Sequence, residues 1–145
     1  MIGLLQRVSH AEVTVEGKSV GAIGRGLLVL IGVRPTDDPV SAKRLLARVL
    51  RYRVFPDNAD KMNLSLTQVE GQLLLVPQFT LAADTAKGLR PGFSTAAPPE
   101  QGRKLFDVLV QAARDELGAV ESGLFGAHMQ VSSTNDGPVT IWLES

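Results

Sequence analysis

Cysteine is absent from this chain of 145 residues, so it can form no disulfide, offer no thiolate nucleophile and supply no Cys-ligated zinc. Histidine is almost as scarce. With only His10 and His128, a histidine-based metal centre is poorly supplied, and no metal or cofactor is expected. Neither sign of charge is in excess: 15 Lys and Arg face 15 Asp and Glu. That balance excludes a polybasic nucleic-acid coat, so an RNA partner would have to be held by a local patch. No apolar run approaches the ~18 residues of a membrane span. The apolar start, Met1 to Leu5, meets Arg7 at once and is followed by no small-residue cleavage site, unlike a signal peptide. The expectation is a soluble, cytoplasmic protein forming one domain over residues 1–145. Its apolar content of 44% is enough to bury a real core.

The chain carries short strand signals and two clear helices. Ile2 to Val8 and Ala11 to Glu16 read as strands, and Glu16-Gly17-Lys18 reads as the turn of a hairpin. Gly21, Gly24 and Gly26 lack the spacing and the strand-to-helix context of a phosphate loop. Gly26 to Val33 is a continuous apolar run, the mark of a strand buried on both faces. Asp37-Asp38-Pro39 opens a helix, with an acidic cap and Pro in the first turn. Its stripe is Ala42, Leu45, Leu46, Val49 and Leu50; Arg44, Arg48 and Arg51 share the opposite face, which reads as a solvated face or, second to that, a phosphate-contacting patch. Pro56 to Leu66 is a polar connection without the ordered carboxylates of a calcium loop. Gln72 to Val76 is another apolar strand, which Pro77 ends or bulges. The backbone therefore leaves the ladder at Gln78, Phe79 and Thr80, and its freed amides are available to a ligand. A second helix starts at Pro98-Pro99-Glu100, carries Leu105, Phe106, Leu109, Val110, Ala113 and Leu117 as its stripe, and is capped by Gly118. Trp142 and Phe106 are expected in the core. The fold class is α+β: a largely antiparallel, barrel-like sheet with two main helices.

Asn135-Asp136-Gly137-Pro138-Val139-Thr140 lies between two alternating apolar runs, where Asn, Asp and Gly give a hairpin signal. Pro138 complicates that reading, because proline cannot donate to a ladder. A Gly-Pro bond can also be cis, which turns both carbonyls toward one side. Two parallel acceptors held rigidly could recognise a substrate.

Three separated motifs in this order resemble one family: Gln6-Arg7-Val8, Gln78-Phe79-Thr80-Leu81 and Asn135 to Thr140. Lys61-Met62-Asn63, Arg90-Pro91 with Phe93, and Phe125-Gly126-Ala127 fall between them. Over essentially its whole length the chain resembles a D-aminoacyl-tRNA deacylase. The resemblance implies a homodimer hydrolysing the ester between a D-amino acid and the 3′-terminal adenosine of tRNA. It also implies a deacylase fold, no cofactor and no membrane attachment. Gly137-Pro138 would be cis and inserted into the partner's active site, its carbonyls facing the Cα of the aminoacyl group and excluding L-side chains. Gln78, Phe79 and Thr80 would wall the pocket near the ester, and Arg7 would hold the Gly-Pro pair in place. Three positions depart from the family pattern. Pro77 and Gly92 stand where Ser is usual, and His128 stands where Asp is usual.

Ester hydrolysis needs a nucleophile, a proton acceptor and donors for the oxyanion. Thr80 has no ionisable neighbour between Pro77 and Leu81, so a covalent role would need a base brought in by the fold. The alternative is assistance by the adenosine 2′-hydroxyl, with backbone N–H groups near Phe79 and Thr80 binding the oxyanion. Glycine has no side chain to exclude, so glycyl-tRNA should also be cleaved. Two other readings stand beside this one. The first is a related tRNA-editing deacylase with relaxed chiral selectivity, which Pro77 favours. The second is a non-catalytic tRNA-binding module, which would bind RNA without turnover.

Overall fold

The apolar run at Gly26 becomes the middle of the molecule. The computed structural model describes all residues 1–145. In it, β3 (Gly26–Gly32) is flanked by β1 (Ile2–Val15) on one side and β6 (Gln72–Pro77) on the other. The sheet order is β2-β1-β3-β6-β7, with β2 at Lys18–Ile23 and β7 at Glu121–Ser122; β8 (Gln130–Glu144) runs antiparallel along the free side of β1. The sheet is mixed. Pairs made by β1 are antiparallel, but β3 with β6 and β6 with β7 are parallel, because helical connections carry the chain back to the same end. This refines the expected, largely antiparallel sheet.

The two predicted N-terminal strands are one. β1 is continuous over 14 residues, pairing with β3 through its first half and with β2 through its second. The Glu16–Gly17 turn closes the β1–β2 hairpin, and both residues take positive φ. The expected connection at Pro56 to Leu66 contains a small ladder of β4 (Phe55–Pro56) and β5 (Met62–Leu64), and Asp57 organises it. Its carboxylate accepts from the N–H groups of Ala59 and Lys61 and from Asn63 Nδ2.

Helix α1 (Pro39–Arg51) starts as its sequence dictates, with Asp38 and Ser41 forming a reciprocal capping box. Helix α2 (Pro99–Leu117) ends at Gly118, whose φ is 79°. Both helices bury their apolar stripes on one face of the sheet, where Leu45, Leu46, Phe106 and Leu109 meet Leu5, Leu27, Val29 and Leu73. A smaller core of Val8, Val13, Ile23, Leu28, Leu74 and Val76 covers the opposite face. β3 therefore has apolar packing on both sides, as a continuous run requires. β2 folds over this smaller core toward β7, so that the backbone of Gly21 comes close to Ser122 and Leu74 and the sheet is nearly closed. Parallel pairing of β3 with β6 demands a glycine at its start. A Cβ on Gly26 would lie 1.9 Å from the Gln72 carbonyl oxygen.

Candidate active site

Gln78 to Thr80 are placed by the end of β6. Pro77 is the last residue of the strand, opposite Ile31. The Gln78 N–H turns back to the Ile31 carbonyl at 2.7 Å, so the N–H that Pro77 lacks would face the other side of the strand. There β7 has already ended at Ser122. Proline thus costs the sheet no hydrogen bond at this position. Beyond it the chain winds into a 3₁₀ turn over Phe79–Ala82. The first N–H groups of such a turn have no partner within it, which leaves those of Phe79 and Thr80 as donors at the strand end.

The two rings nearest this turn cover each other only partly. Phe79 is 55% exposed and Phe93 43% exposed, with ring centroids 5.1 Å apart and planes tilted by 57°. A cavity of about 410 Å³ opens on one side of Gln78 and Phe79, lined also by Pro77, Phe106, Phe125 and Met129. On the other side a shallow groove of about 950 Å³ runs past Thr80, between Arg34, Thr95 and Trp142. Trp142 is therefore not core. It is 48% exposed, whereas Phe106 is buried as expected. In β8 the residues alternate sides, so burying Leu143 against the helices turns Trp142 outward.

Trp142 is held by a charge network. Its indole N–H donates to Glu144 at 2.9 Å, and Glu144 accepts two bonds from the Arg34 guanidinium, at 2.7 and 3.3 Å. These partners, Arg34 first, pull the Glu144 carboxyl from 4.5 down to about 2. The same pairing raises Arg34 further above its ordinary value. The solvated face of α1 is tied in too, as Arg48 donates to the Glu144 carbonyl.

No titratable side chain hydrogen-bonds Thr80, although Arg34 and Asp84 line the same groove. Its hydroxyl oxygen accepts from Gln78 Nε2 at 2.5 Å, and an amide cannot take up a proton. His10 is engaged elsewhere, 3.4 Å from Thr134 on β8, and His128 lies at the wall of the cavity. Neither forms a hydrogen bond with Thr80.

The Asn135–Thr140 stretch does not reverse the chain. β8 continues through it, and the register with β1 jumps from Val8↔Asn135 to Gln6↔Thr140. Four residues, 136–139, are thereby ejected opposite the single residue Arg7. Loop residues Asp136, Gly137 and Pro138 are exposed, and the Gly137–Pro138 bond is cis. Gly137 has φ 142°, and a Cβ there would lie 2.8 and 2.9 Å from Val139 atoms, so only glycine fits. Arg7 grips the loop from beneath. Its Nε donates to the Asp136 carbonyl at 2.9 Å and its Nη1 to the Val54 carbonyl at 2.6 Å, with the Asp136 carboxylate 3.6 Å away. Sequence reasoning missed two features. The side-chain bonds of Asn135 across the loop base looked like ordinary turn chemistry, and the outward face of Trp142 depends on the strand's phase.

The structure therefore brings Gln78, Phe79 and Thr80 together, and Arg7 with Gly137–Pro138, as two separate groups. Comparison with known proteins follows the same outline. A family model described as D-Tyr-tRNA(Tyr) deacylase matches residues 4–144. The chain is 61% identical to the D-aminoacyl-tRNA deacylase of Ectopseudomonas mendocina (strain ymp) over 141 residues, 97% of each chain. It is 59% identical to that of Azotobacter vinelandii over the whole of both chains. A solved structure of the c-Myc DNA Unwinding Element Binding Protein superimposes with a TM-score of 0.95 at 38% identity, covering 100% of this chain and 99% of the other. One described as a probable eukaryotic D-amino acid tRNA deacylase gives 0.85 at 21% identity, a likeness of fold, covering 99% of this chain and 98% of the other. Matched from residue 4 to 144 by the family model, and near 60% identical to full-length relatives, this chain belongs to the D-Tyr-tRNA(Tyr) deacylase family.

Proposed function

We propose that this protein hydrolyses the ester linking a D-amino acid, or glycine, to the 3′-terminal adenosine of tRNA, releasing free amino acid and tRNA. The observation that carries this reading is the strand end at Gln78–Thr80. It sets two unpaired backbone donors beside a cavity in a chain whose full-length relatives are named for that activity. The Phe79 and Thr80 N–H groups are suited to an ester oxygen as it gains negative charge. Since the Thr80 hydroxyl is bonded to an amide and to no base, water is the nucleophile, oriented by the adenosine 2′-hydroxyl of the substrate. Gln78 holds the Thr80 hydroxyl in place and shapes the wall, as does the Phe79 ring.

Selectivity comes from Gly137–Pro138, and sheet order argues that the pair serves a second copy. In one chain β8 and β6 are separated by β1 and β3, which is about 14 Å at the usual strand spacing. Arg7 is level with Leu27 and hence Leu73, four residues or about 13 Å before Pro77. The loop is thus about 19 Å from its own site. A homodimer with twofold symmetry delivers each loop to the partner's Gln78–Thr80, completing both sites together. Main-chain oxygens there occupy the place an L-side chain would need, while D-side chains point away. Such exclusion need not read the side chain at all.

The test is release of D-Tyr, Gly and L-Ala from their cognate tRNAs. Turnover of the first two with L-Ala-tRNA intact is expected. Cleavage of all three would favour the relaxed editing reading that Pro77 raised, and RNA binding without any release would favour a non-catalytic module.

A further inference from the structure

Arg7 secures only one limb of the Gly137–Pro138 loop. Its contact is to the Asp136 carbonyl, on the side where β8 leaves the ladder. On the returning side the ladder resumes only at Gln6↔Thr140, so Val139 has no partner on β1 and must be held by something else. Asn135 is that holder. Its Oδ1 accepts from the Val139 N–H at 2.7 Å, and its Nδ2 donates to the Thr140 hydroxyl at 2.9 Å. Both bonds cross the loop at its base, and they satisfy the acceptor and one amide proton of a side chain that is only partly exposed.

From this geometry we infer that Asn135 is a positioning residue for chiral selection, the clamp that sets how far Gly137–Pro138 reaches into the site it serves. The inference rests on the functional reading above. Gly137 and Pro138 hang between two anchored neighbours, Asp136 held by Arg7 and Val139 held by Asn135. The ejected segment makes no ladder bonds of its own, so its tip can be no better placed than those two ends. D- and L-aminoacyl groups differ only in which of two directions at Cα carries the side chain. A shift of the blocking oxygens by about 1 Å is enough to admit a methyl group or to obstruct a D-substrate, and such misplacements cost about 10²-fold in rate. The neighbours explain the residue type. A side chain at this position has to accept from an N–H four residues on and donate to a hydroxyl five residues on, and a primary amide does both.

The experiment pairs Asn135→Ala with Asn135→Asp and Thr140→Val. Asn135→Ala loses both bonds. Asn135→Asp keeps an acceptor for Val139 and loses the donor, and Thr140→Val removes the same second bond from its other end. Measured as the ratio of kcat/KM for D-Tyr-tRNA over L-Tyr-tRNA, selectivity should fall about tenfold or more in Asn135→Ala. The two milder variants should lose less, by similar amounts, and their double variant should be no worse than either, because both remove one shared contact. Amide exchange at Val139 gives a reading independent of activity. It should quicken in Asn135→Ala and stay slow in Asn135→Asp. An active enzyme whose Asn135→Ala variant keeps the parental D/L ratio would overturn the inference, even if its melting temperature dropped. Wild-type protein inactive on every aminoacyl-tRNA, with Val139 exchange changing as described, would instead overturn the functional reading and leave the clamp as loop architecture alone.

Discussion

At Thr80 the surroundings argue against the side chain as nucleophile in the proposed reaction. A hydroxyl becomes a competent nucleophile only with a base beside it, and here its partner is the Gln78 amide. Thr80→Ala should therefore lower kcat by less than about tenfold, whereas tRNA ending in 2′-deoxyadenosine should lose about 10²-fold or more, the usual worth of an acid–base partner. A dead Thr80→Ala enzyme that hydrolyses the deoxy substrate normally would reverse the assignment. Glu144 gives a second residue-level prediction. Its carboxyl titrates near 2 in the folded protein against an ordinary 4.5. The depressed value means that the Arg34–Glu144 pair contributes fully above pH 4.5 and is lost as pH falls through about 2. Trp142 is the sole tryptophan, so its fluorescence should report that step directly, and Glu144→Gln should show the altered emission already at neutral pH. Both ions are well exposed, at 38% and 46%, so added salt should shrink the effect on stability.

The ladder between β3 and β6 is the most demanding contact among the elements. The backbones approach so closely at Gly26 that a methyl group would overlap the Gln72 carbonyl, and neither strand can move without disturbing cores on both faces. Gly26→Ala should lower the melting temperature by about 10 °C or more, or prevent folding, which thermal unfolding followed by circular dichroism will show. Gly137→Ala makes the contrast. Its strain is confined to an exposed loop outside the ladder, so the melting temperature should stay within a few degrees while D-aminoacyl release falls by about 10²-fold. Equal thermal losses in the two variants would mean that the Gly137 loop belongs to the folding core and was not set aside for recognition.

For the whole molecule, the separation of β8 from β6 is the organising fact. On the proposed reading, a loop about 19 Å from its own strand end completes the site of a neighbouring copy. Subunit mixing tests this. Gly137→Ala spoils the donated loop and Phe79→Ala strips the receiving wall, so each homodimer should be impaired at both sites. Random exchange makes half the dimers mixed, each with one site free of both defects, and activity should recover to about a quarter of wild type. Additive residual activities, without recovery, would place loop and wall in the same chain.

Much of this was legible in the residues because local rules wrote it. The acidic cap at Asp38, the glycine cap at Gly118, the β1–β2 turn and the end of β6 at Pro77 all follow from side-chain and backbone preferences acting over a few positions. The ordered motifs at Arg7, Gln78–Thr80 and Asn135–Thr140 likewise identified the family. Three things escaped. Parallel pairing in the sheet depends on which strands the two helices bring together, and the outward turn of Trp142 depends on the phase of β8 against the core. At Asn135 a hairpin signal proved to be a four-residue excursion in an unbroken strand, since register with β1 outweighs local turn preference when eleven partner pairs compete with it. Short-range chemistry thus determined which residues would leave the sheet. Only long-range pairing decided where they would point, because the energies that set register are summed over whole strands.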